Sequence, residues 1–374
     1  MKVLHFFKTY RPQTFGGIEQ VIYQLAEGGQ SHGVESEVLY LSPQGAARAE
    51  RNGQHVSHRA KLDFHVASTG FSWSAFKVFA ELAEQVDLVH YHFPWPYMDL
   101  AHYISRIRKP TVVSYHSDIV KQKWLLKLYQ PLMFRFLDNV DSIVASSPAY
   151  AASSPILQRY RKKVVVIPYG LDRNTYPHPE QERLVHWRQR LKGPFFLFVG
   201  ALRYYKGLDF LLQALQGTSI SCVIAGHGFE EERLRQQAQA LGLSNVIFTG
   251  LLSEEDKTAL LMLSYAFVFP SHLRSEAFGI SLLEAAMHGK PMISCEIGTG
   301  TSFINLNGET GLVVPPADPA ALRQAMLILL NDPERAIKMG AQAEKRYKQV
   351  FSSQKMLLSY ADLYRAIADT RASD

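Results

Sequence analysis

The chain has 374 residues, 47% of them hydrophobic and 20% charged, which suits about two globular domains and excludes disordered and fibrous proteins. No apolar run approaches the roughly 20 residues that a membrane-spanning helix needs. The net charge of +6 lies in the first half, since residues 1–167 carry 19 basic and 13 acidic side chains and the remainder carries 21 of each.

Short runs rich in Val, Ile and Phe alternate with amphipathic stretches of helical period, a pattern typical of parallel sheets with crossover helices. In the first part of the chain we predict strands at residues 3–7, 35–41, 87–90, 110–115, 142–145 and 164–167. Four prolines among charged residues then predict a linker with one short helix at 168–194. The strand pattern restarts at residues 195–199, 221–225, 245–249, 267–269 and 291–295.

These strands predict an α/β protein with two doubly wound, Rossmann-like domains, at residues 1–167 and 195–354. Ligands of such sheets bind at the carboxyl ends of the strands, so we expect the domains to face each other across a substrate cleft. Cys222 and Cys295 each lie within an apolar run, which predicts buried thiols rather than a disulfide or a metal site.

The loop after the first strand of the second domain combines glycines with two cations. Gly200 ends the strand, and Arg203, Lys206 and Gly207 precede a helical segment. This combination suits a diphosphate, because glycine lets the backbone approach while Arg and Lys neutralise the oxygens. An ordinary solvated loop with two surface charges would give the same pattern. A second glycine turn at 226–228 also lacks the full Gly-x-Gly-x-x-Gly dinucleotide fingerprint.

Two glutamates eight positions apart, Glu276 and Glu284, follow the fourth strand of that domain. On one continuous helix they would lie roughly 80° and about 12 Å apart, so we place Glu276 in a loop and Glu284 in a helix starting near Gly279. The unpaired amides of residues 280–282 would then form an anion site. Glu284 could simply face solvent, but its neighbours are apolar. Two carboxylates bracketing an anion site describe a pocket for a nucleotide sugar.

These motifs, in their order and spacing, resemble glycosyltransferase family 4, which comprises retaining transferases of the GT-B fold. The resemblance covers nearly the whole chain and includes Gly16-Gly17-Ile-Glu19, His116 and the segments 167–172 and 308–315. It implies an N-terminal acceptor-binding domain, a C-terminal donor-binding domain and a last helix, at about 355–374, that returns to the first domain.

The resemblance also implies roles for individual residues. Arg203 and Lys206 would hold the diphosphate, Glu284 the ribose and Glu276 the donor sugar. The expected catalytic residues are His116, Glu276, Arg203 and Lys206. The expected donor-binding residues are Gly16, Gly17, Arg203, Lys206, Gly228, Glu276, Phe278, Gly279, Ile280, Ser281 and Glu284.

His116 follows the predicted strand at 110–115, and the resemblance places it beside the donor sugar. A lone histidine is often a structural residue, but family context favours a role in binding and polarisation, through its backbone carbonyl or its ring. The resemblance also implies retaining transfer without a carboxylate nucleophile, and hence front-face attack in which the leaving diphosphate takes the acceptor proton. The sequence contains no Asp-x-Asp, so we predict that Arg203, Lys206 and helix amides replace a metal ion.

The resemblance is closest to bacterial transferases that build O-antigen and lipopolysaccharide from mannose or rhamnose. It implies a GDP-sugar donor and a growing, lipid-linked polysaccharide acceptor. A UDP-sugar-dependent transferase and a catalytically inactive nucleotide-sugar-binding protein are the alternatives. A dehydrogenase is disfavoured because the dinucleotide fingerprint is absent.

The basic first half favours a phosphorylated substrate or an anionic membrane surface, and nucleic acid is disfavoured because no binding motif occurs. Segment 121–135 mixes four cations with Trp124, Tyr129 and Phe134, as interfacial segments do. A half-buried helix with a basic edge fits this composition equally well. The chain opens with a strand rather than a signal peptide, so we expect a cytoplasmic protein with peripheral contact to the inner membrane.

Overall fold

The computed structural model describes residues 1–66, 69–119 and 123–373. The chain divides into two compact units, one formed by Met1–Leu171 with the chain from Ser352 onward, and the other by Asp172–Phe351. Each unit is an α/β structure with its own sheet. No helix within these described ranges is both long and apolar enough to cross a membrane.

Ten strands lie in the described part of the first unit: β1 (Lys2–Phe6), β2 (Glu35–Ser42), β3 (Ala47–Asn52), β4 (His55–Lys61), β5 (Phe64–Val66), β6 (Thr69–Phe71), β7 (Leu88–Phe93), β8 (Thr111–Tyr115), β9 (Ser142–Ala145) and β10 (Val164–Val166). Eight of them form one sheet in the order β10-β9-β8-β7-β1-β2-β4-β3. All pairs are parallel except β3 with β4. The order reverses between β1 and β7, as in a doubly wound fold.

The helices of the first unit up to Leu171 are α1 (Gly17–Gly28), α2 (Trp73–Glu84), α3 (Pro96–Ile104), α4 (Lys123–Asn139), α5 (Pro148–Ser153) and α6 (Pro155–Arg159). Serine side chains cap several of them: Ser72 accepts from the amide of Ala75, and Ser147 accepts from the amide of Tyr150. By contrast, α1 begins after Gly16 with no side-chain cap, which leaves its first amides exposed at a glycine pair.

The second unit has six strands, β11 (Phe195–Val199), β12 (Ser221–Ala225), β13 (Val246–Gly250), β14 (Ala266–Phe269), β15 (Met292–Cys295) and β16 (Gly311–Val314). They form a parallel sheet in the order β13-β12-β11-β14-β15-β16. Its helices are α7 (Gln181–Leu191), α8 (Leu208–Leu215), α9 (Glu231–Ala240), α10 (Glu254–Leu263), α11 (Ile280–Met287), α12 (Thr301–Ile304), α13 (Pro319–Asn331) and α14 (Pro333–Val350). As predicted, Cys222 and Cys295 are buried free thiols, and burial raises the pKa of each to about 12.

Residues 168–171 belong to the first unit, and residues 172–194 belong to the second. There α7 packs on α10, with Leu184 and Trp187 buried and the Trp187 indole donating to Asp256. The last helix, α15 (Ser353–Ser373), lies in the first unit, where it buries Tyr360 and Tyr364.

Candidate active site

The loops that follow β11, β12 and β13 pack backbone against backbone at one edge of the second sheet. The amide of Gly226 donates to the carbonyl of Gly250 at 2.9 Å. A Cβ atom on Gly226 would lie 2.0 Å from the carbonyl oxygen of Gly200, and one on Gly228 would lie 2.3 Å from that of Leu202. Gly228 therefore serves a close loop-to-loop approach, and its contact with the donor stays a prediction.

The two predicted phosphate-binding cations lie on one 3-10 turn, Tyr204–Lys206, with Arg203 at its N-cap and Lys206 as its last residue. It is followed by Gly207, which has a φ of +67° and whose Cβ would lie 2.1 Å from the carbonyl oxygen of Pro270. Only glycine tolerates both the left-handed backbone and this contact. The turn directs Lys206 into the protein, while Arg203 stays exposed with its guanidinium 4.7 Å from the ring centroid of Phe229.

The buried end of Lys206 meets the first predicted glutamate. Its Nζ lies 2.5 Å from Oε2 of Glu276, and the Ser271 hydroxyl donates to the same oxygen at 3.4 Å. Burial by itself would lower the pKa of Lys206, but the charge of Glu276 and its hydrogen bond outweigh burial, so the pKa is raised. The structure thus holds a protonated ammonium group against a carboxylate of fixed orientation.

Helix α11 begins where the sequence predicted, directly after Gly279, which has a φ of +100°. No side chain caps it, and the amide of Leu283 makes the first backbone hydrogen bond to Gly279. The amides of Ile280 and Ser281 are therefore available at the helix start, where the helix dipole favours an anion. The placement of Glu276 before the helix and of Glu284 within it is confirmed. Phe278, a predicted donor-binding residue, is buried, with its ring packed edge-on at 6.2 Å from Phe351.

Glu284 is buried rather than exposed. Its Oε1 accepts hydrogen bonds from the Tyr176 hydroxyl and from Lys257 Nζ, both at 2.9 Å, and Lys257 also pairs with Glu254 at 2.8 Å. Burial would lower the pKa of Lys257, but the charges of Glu284 and Glu254 outweigh it and raise the pKa. Sequence reasoning missed Tyr176 and Lys257, because neither belongs to a motif with a recognisable spacing.

In the first unit, Glu19 clamps the loop that joins β1 to α1. Its Oε1 accepts from the hydroxyls of Thr9 at 2.8 Å and Thr14 at 3.0 Å. A Cβ on Gly16 would lie 2.3 Å from Oε2 of the same carboxylate. The structure therefore explains the glycine at the first position of the Gly16-Gly17-Ile-Glu19 motif. Without a side chain, Gly16 leaves room for the Glu19 carboxylate that fixes the loop.

His116 lies directly after β8 with its ring buried. Its Nε2 is 2.9 Å from Nδ1 of His92, and its Nδ1 is 2.7 Å from the Tyr169 hydroxyl. Burial lowers the pKa of His116 to about 3, so the ring is neutral at physiological pH. Both ring nitrogens are engaged within the first unit, and His92 and Tyr169 are partners that sequence reasoning did not identify.

The predicted residues thus fall into two groups. The second unit brings together Lys206 and Glu276 and places Arg203 on the same turn as Lys206. It also holds Gly228, Phe278, Gly279, Ile280, Ser281 and Glu284. The first unit holds Gly16, Gly17 and His116.

Comparisons with known proteins cover both units. A family model described as Glycosyltransferase Family 4 matches residues 15–175, and one described as Glycosyl transferases group 1 matches residues 181–346. The D-rhamnosyltransferase WbpZ of Pseudomonas aeruginosa is 60% identical over 94% of this chain and 93% of its own. The O-antigen chain mannosyltransferase C of Escherichia coli is 49% identical over the full length of both chains.

Solved structures with the same fold are more distant in sequence. A sucrose-phosphate synthase from Thermosynechococcus elongatus superposes with a TM-score of 0.81 at 21% identity, over 99% of both chains. WaaG, a glycosyltransferase involved in lipopolysaccharide biosynthesis, gives a TM-score of 0.70 at 16% identity, over 97% of this chain and 99% of its own. At these identities the likeness establishes the two-sheet fold.

Proposed function

The chain belongs to glycosyltransferase family 4, and from this premise we propose that it transfers D-rhamnose or mannose from a GDP-sugar to a growing O-antigen-type polysaccharide. It is a retaining hexosyltransferase. The observation that carries the choice of sugar is the identity of 60% and 49%, over nearly entire chains, to relatives named for D-rhamnosyl and O-antigen mannosyl transfer.

The second unit provides the groups that we assign to the donor. Arg203 and Lys206 neutralise the diphosphate together with the uncapped amides of Ile280 and Ser281. Negative charge grows on the diphosphate as the sugar leaves, so these fixed positive groups stabilise the transition state more than the ground state. The leaving diphosphate then accepts the proton of the acceptor hydroxyl, on the same face of the sugar.

Two carboxylates orient the ends of the donor in this proposal. Glu276 accepts hydrogen bonds from sugar hydroxyls, with Lys206 holding its Oε2 in place. Glu284 accepts from the ribose through Oε2, because both of its protein hydrogen bonds end on Oε1. In the first unit, we assign the amides of Gly16 and Gly17 to phosphate and His116 to the donor sugar.

The choice of guanine over uracil depends on the loops after β12 and β13. Guanine needs acceptors for its N1 and its exocyclic amine, and the start of α10 offers Glu254 and Glu255. Both carboxylates have protein partners, Glu254 with Lys257 at 2.8 Å and Glu255 with Arg183 at 2.9 Å, yet each stays at least 40% exposed. Backbone carbonyls of the same loops are the other candidates for the base.

Competition calorimetry with GDP and UDP tests the nucleotide. We expect GDP to bind at least ~10-fold more tightly, a difference of about 1.4 kcal/mol, and the reverse order would refute the GDP proposal. Release of GDP from GDP-D-rhamnose and GDP-mannose, with UDP-glucose as the control donor, then tests the reaction. A protein that binds these donors but turns over none of them, with or without acceptor glycan, would be a binding protein and not a transferase.

For the lipid-linked acceptor, we propose that α4 contacts an anionic bilayer. Trp124 and Leu128 are 84% and 81% exposed, and Lys127 Nζ lies 5.4 Å from the Trp124 ring centroid. An exposed aromatic beside a lysine suits the membrane interface. Tyr129 takes no part, because its hydroxyl donates to Asp99. Lys121 and the side chain of Lys123 lie outside the part of the chain that the structure describes.

A further inference from the structure

One face of the first sheet carries polar side chains beneath the last helix. His5 is in register with His90, and His92 is in register with Ser114, so β1, β7 and β8 present these side chains on the same face. All four are at most 1% exposed. Polar groups buried this deeply need hydrogen-bond partners, because an unpaired one would cost free energy.

These buried side chains form two branches of hydrogen bonds, and two tyrosines of α15 provide partners for the first branch. The Tyr364 hydroxyl lies 2.7 Å from Nδ1 of His90, whose Nε2 lies 2.8 Å from the Ser114 hydroxyl. The Ser114 hydroxyl lies 2.7 Å from that of Tyr360. This branch ties α15 to the centre of the sheet, and it does not include His116.

The second branch runs from the sheet centre to His116. His5 Nδ1 lies 3.1 Å from Nε2 of His92, His92 Nδ1 lies 2.9 Å from Nε2 of His116, and His116 Nδ1 lies 2.7 Å from the hydroxyl of Tyr169. The rings of His5, His90 and His92 lie close enough to one another to suggest a metal site. Of their described ring nitrogens, however, only Nε2 of His5 lacks a hydrogen-bond partner. The cluster is therefore a hydrogen-bond network.

The chemistry of neutral imidazole makes this branch directional. Burial lowers the pKa of His5, His92 and His116 far enough to keep all three neutral. Each ring then has one N–H donor and one acceptor nitrogen. If His116 donates from Nε2, His92 must accept at Nδ1 and donate from Nε2 to His5, and reversing one bond reverses the next. All three histidines must consequently share one tautomer.

We propose that His92 is a positioning residue for sugar transfer, because it holds the ring of His116 and so orients the chain that follows β8. The amide of His116 is anchored separately, by donating to the carbonyl of Phe93 at 3.0 Å. With both ring nitrogens held by His92 and Tyr169, the main-chain carbonyl is the group of His116 that is left for a donor sugar. This inference rests on the function proposed above.

Two near-isosteric variants of His92 separate positioning from general core stability. In His92→Asn the side-chain amide takes the place of Nδ1, which faces His116, whereas in His92→Gln it takes the place of Nε2, which faces His5. We expect His92→Gln to lower kcat for GDP-mannose turnover about tenfold with the donor KM unchanged, and His92→Asn to recover most of that loss. His58→Asn is the matched control, since His58 is a buried histidine of the same sheet whose ring bonds to Glu37 and to the amide of Ala49. Its kcat should stay at the wild-type value. His90 is unsuitable as a control, because its ring stacks on that of His92 at 4.4 Å.

Equal kcat values for His92→Asn and His92→Gln, or the same loss in His58→Asn, would overturn the positioning role. If the wild-type protein turns over no nucleotide sugar, the proposed function fails, and nitrogen NMR of ¹⁵N-histidine-labelled wild-type protein at pH 7 still tests the network. We expect His5, His92 and His116 to show the same tautomer, assigned from single histidine variants. Different tautomers within this set would break the chain and refute the inference, whatever the enzyme's activity.

Discussion

The ammonium nitrogen of Lys206 lies 2.5 Å from a carboxylate oxygen of Glu276, and the two side chains are only 10% and 12% exposed. This pair joins the residue that we assign to the diphosphate to the one that we assign to the sugar. Removing one partner of a buried ion pair typically costs about 3–5 kcal/mol, because the other charge is left without compensation. Each residue therefore affects the binding geometry of the other.

We predict that Glu276→Gln and Arg203→Ala each lower the transfer rate by on the order of 10²-fold or more, because each removes a charged contact near the reacting centre. Both variants should fold: Arg203 is exposed, and Glu276→Gln loses the charge of the buried pair, and with it some stability, but its side-chain carbonyl still accepts from Lys206. Steady-state kinetics and circular dichroism of the purified variants check both statements. Glu344→Gln, which changes a carboxylate of α14 paired with Lys348, is the control and should leave kcat unchanged. A correctly folded Glu276→Gln enzyme with wild-type rates would remove Glu276 from the mechanism.

The clamp on the glycine loop predicts coupling between Gly16 and Glu19. Gly16→Ala should displace the Glu19 carboxylate, and Glu19→Ala should remove the same hydrogen bonds to Thr9 and Thr14. Each single variant should lose about 1–3 kcal/mol of stability, as expected for hydrogen bonds to a charged group. Urea unfolding should show that the double variant is no less stable than the less stable of the two single variants. Additive losses would mean that the two residues act independently.

The buried histidines predict acid sensitivity of the first unit. Burial lowers the pKa of His5 and His116 to about 3, and it lowers those of His90 and His92 well below 6.5. In the unfolded chain these histidines bind protons near pH 6.5, whereas in the folded chain they do not. The stability that depends on their neutral form is therefore complete above about pH 6.5 and is lost as the pH falls towards 3. Each histidine contributes a slope of up to about 1.4 kcal/mol per pH unit.

Urea unfolding from pH 7 to pH 5 measures this slope, with tryptophan fluorescence in a Trp187→Phe background. The remaining tryptophans then all lie in the first unit, at positions 73, 95 and 124. We expect His90→Asn to reduce the slope by an amount that approaches about 1.4 kcal/mol per pH unit near pH 5, because it removes one proton-binding site from the unfolded chain. An unchanged slope would mean that His90 is protonated in the folded protein.

The proposed membrane contact predicts binding to anionic vesicles in a flotation assay. Binding should weaken with salt, with the change of Lys121, Lys123 and Lys127 to glutamate, and with Trp124→Ser, since charge attraction and the exposed indole both contribute. Lys77→Glu makes the same charge change at a lysine exposed on α2 and serves as the control. Absence of binding at low salt would exclude this surface.

Metal independence is the last prediction. We assign to Arg203, Lys206 and the uncapped amides at the start of α11 the positive charge that a divalent cation would otherwise bring to the diphosphate. Sugar transfer should therefore continue unchanged in EDTA, measured by release of the nucleoside diphosphate. Loss of activity in EDTA that returns with added Mg²⁺ or Mn²⁺ would show that these groups do not suffice.

Local patterns were enough to predict much of the fold. Every strand predicted from an apolar run has a counterpart within a few residues, and the break between Glu276 and Glu284 follows from helical geometry alone. The prediction missed the five strands β3, β4, β5, β6 and β16. Two of them, β3 and β4, have sequences that carry many polar residues. Such strands form because neighbouring strands provide hydrogen-bond partners, and the chain's own pattern of apolar residues does not reveal that.

The sequence by itself therefore determined most of the strands, the start of α11 and the chemical types of the candidate residues, because these depend on neighbours along the chain. Only the tertiary structure decided which of those residues meet. Lys206 and Glu276 are 70 positions apart, Tyr176 and Glu284 are 108 apart, and His5 and His92 are 87 apart. Contacts over such separations depend on the order and register of the strands and on side-chain packing, which together determine the position of each side chain's functional group.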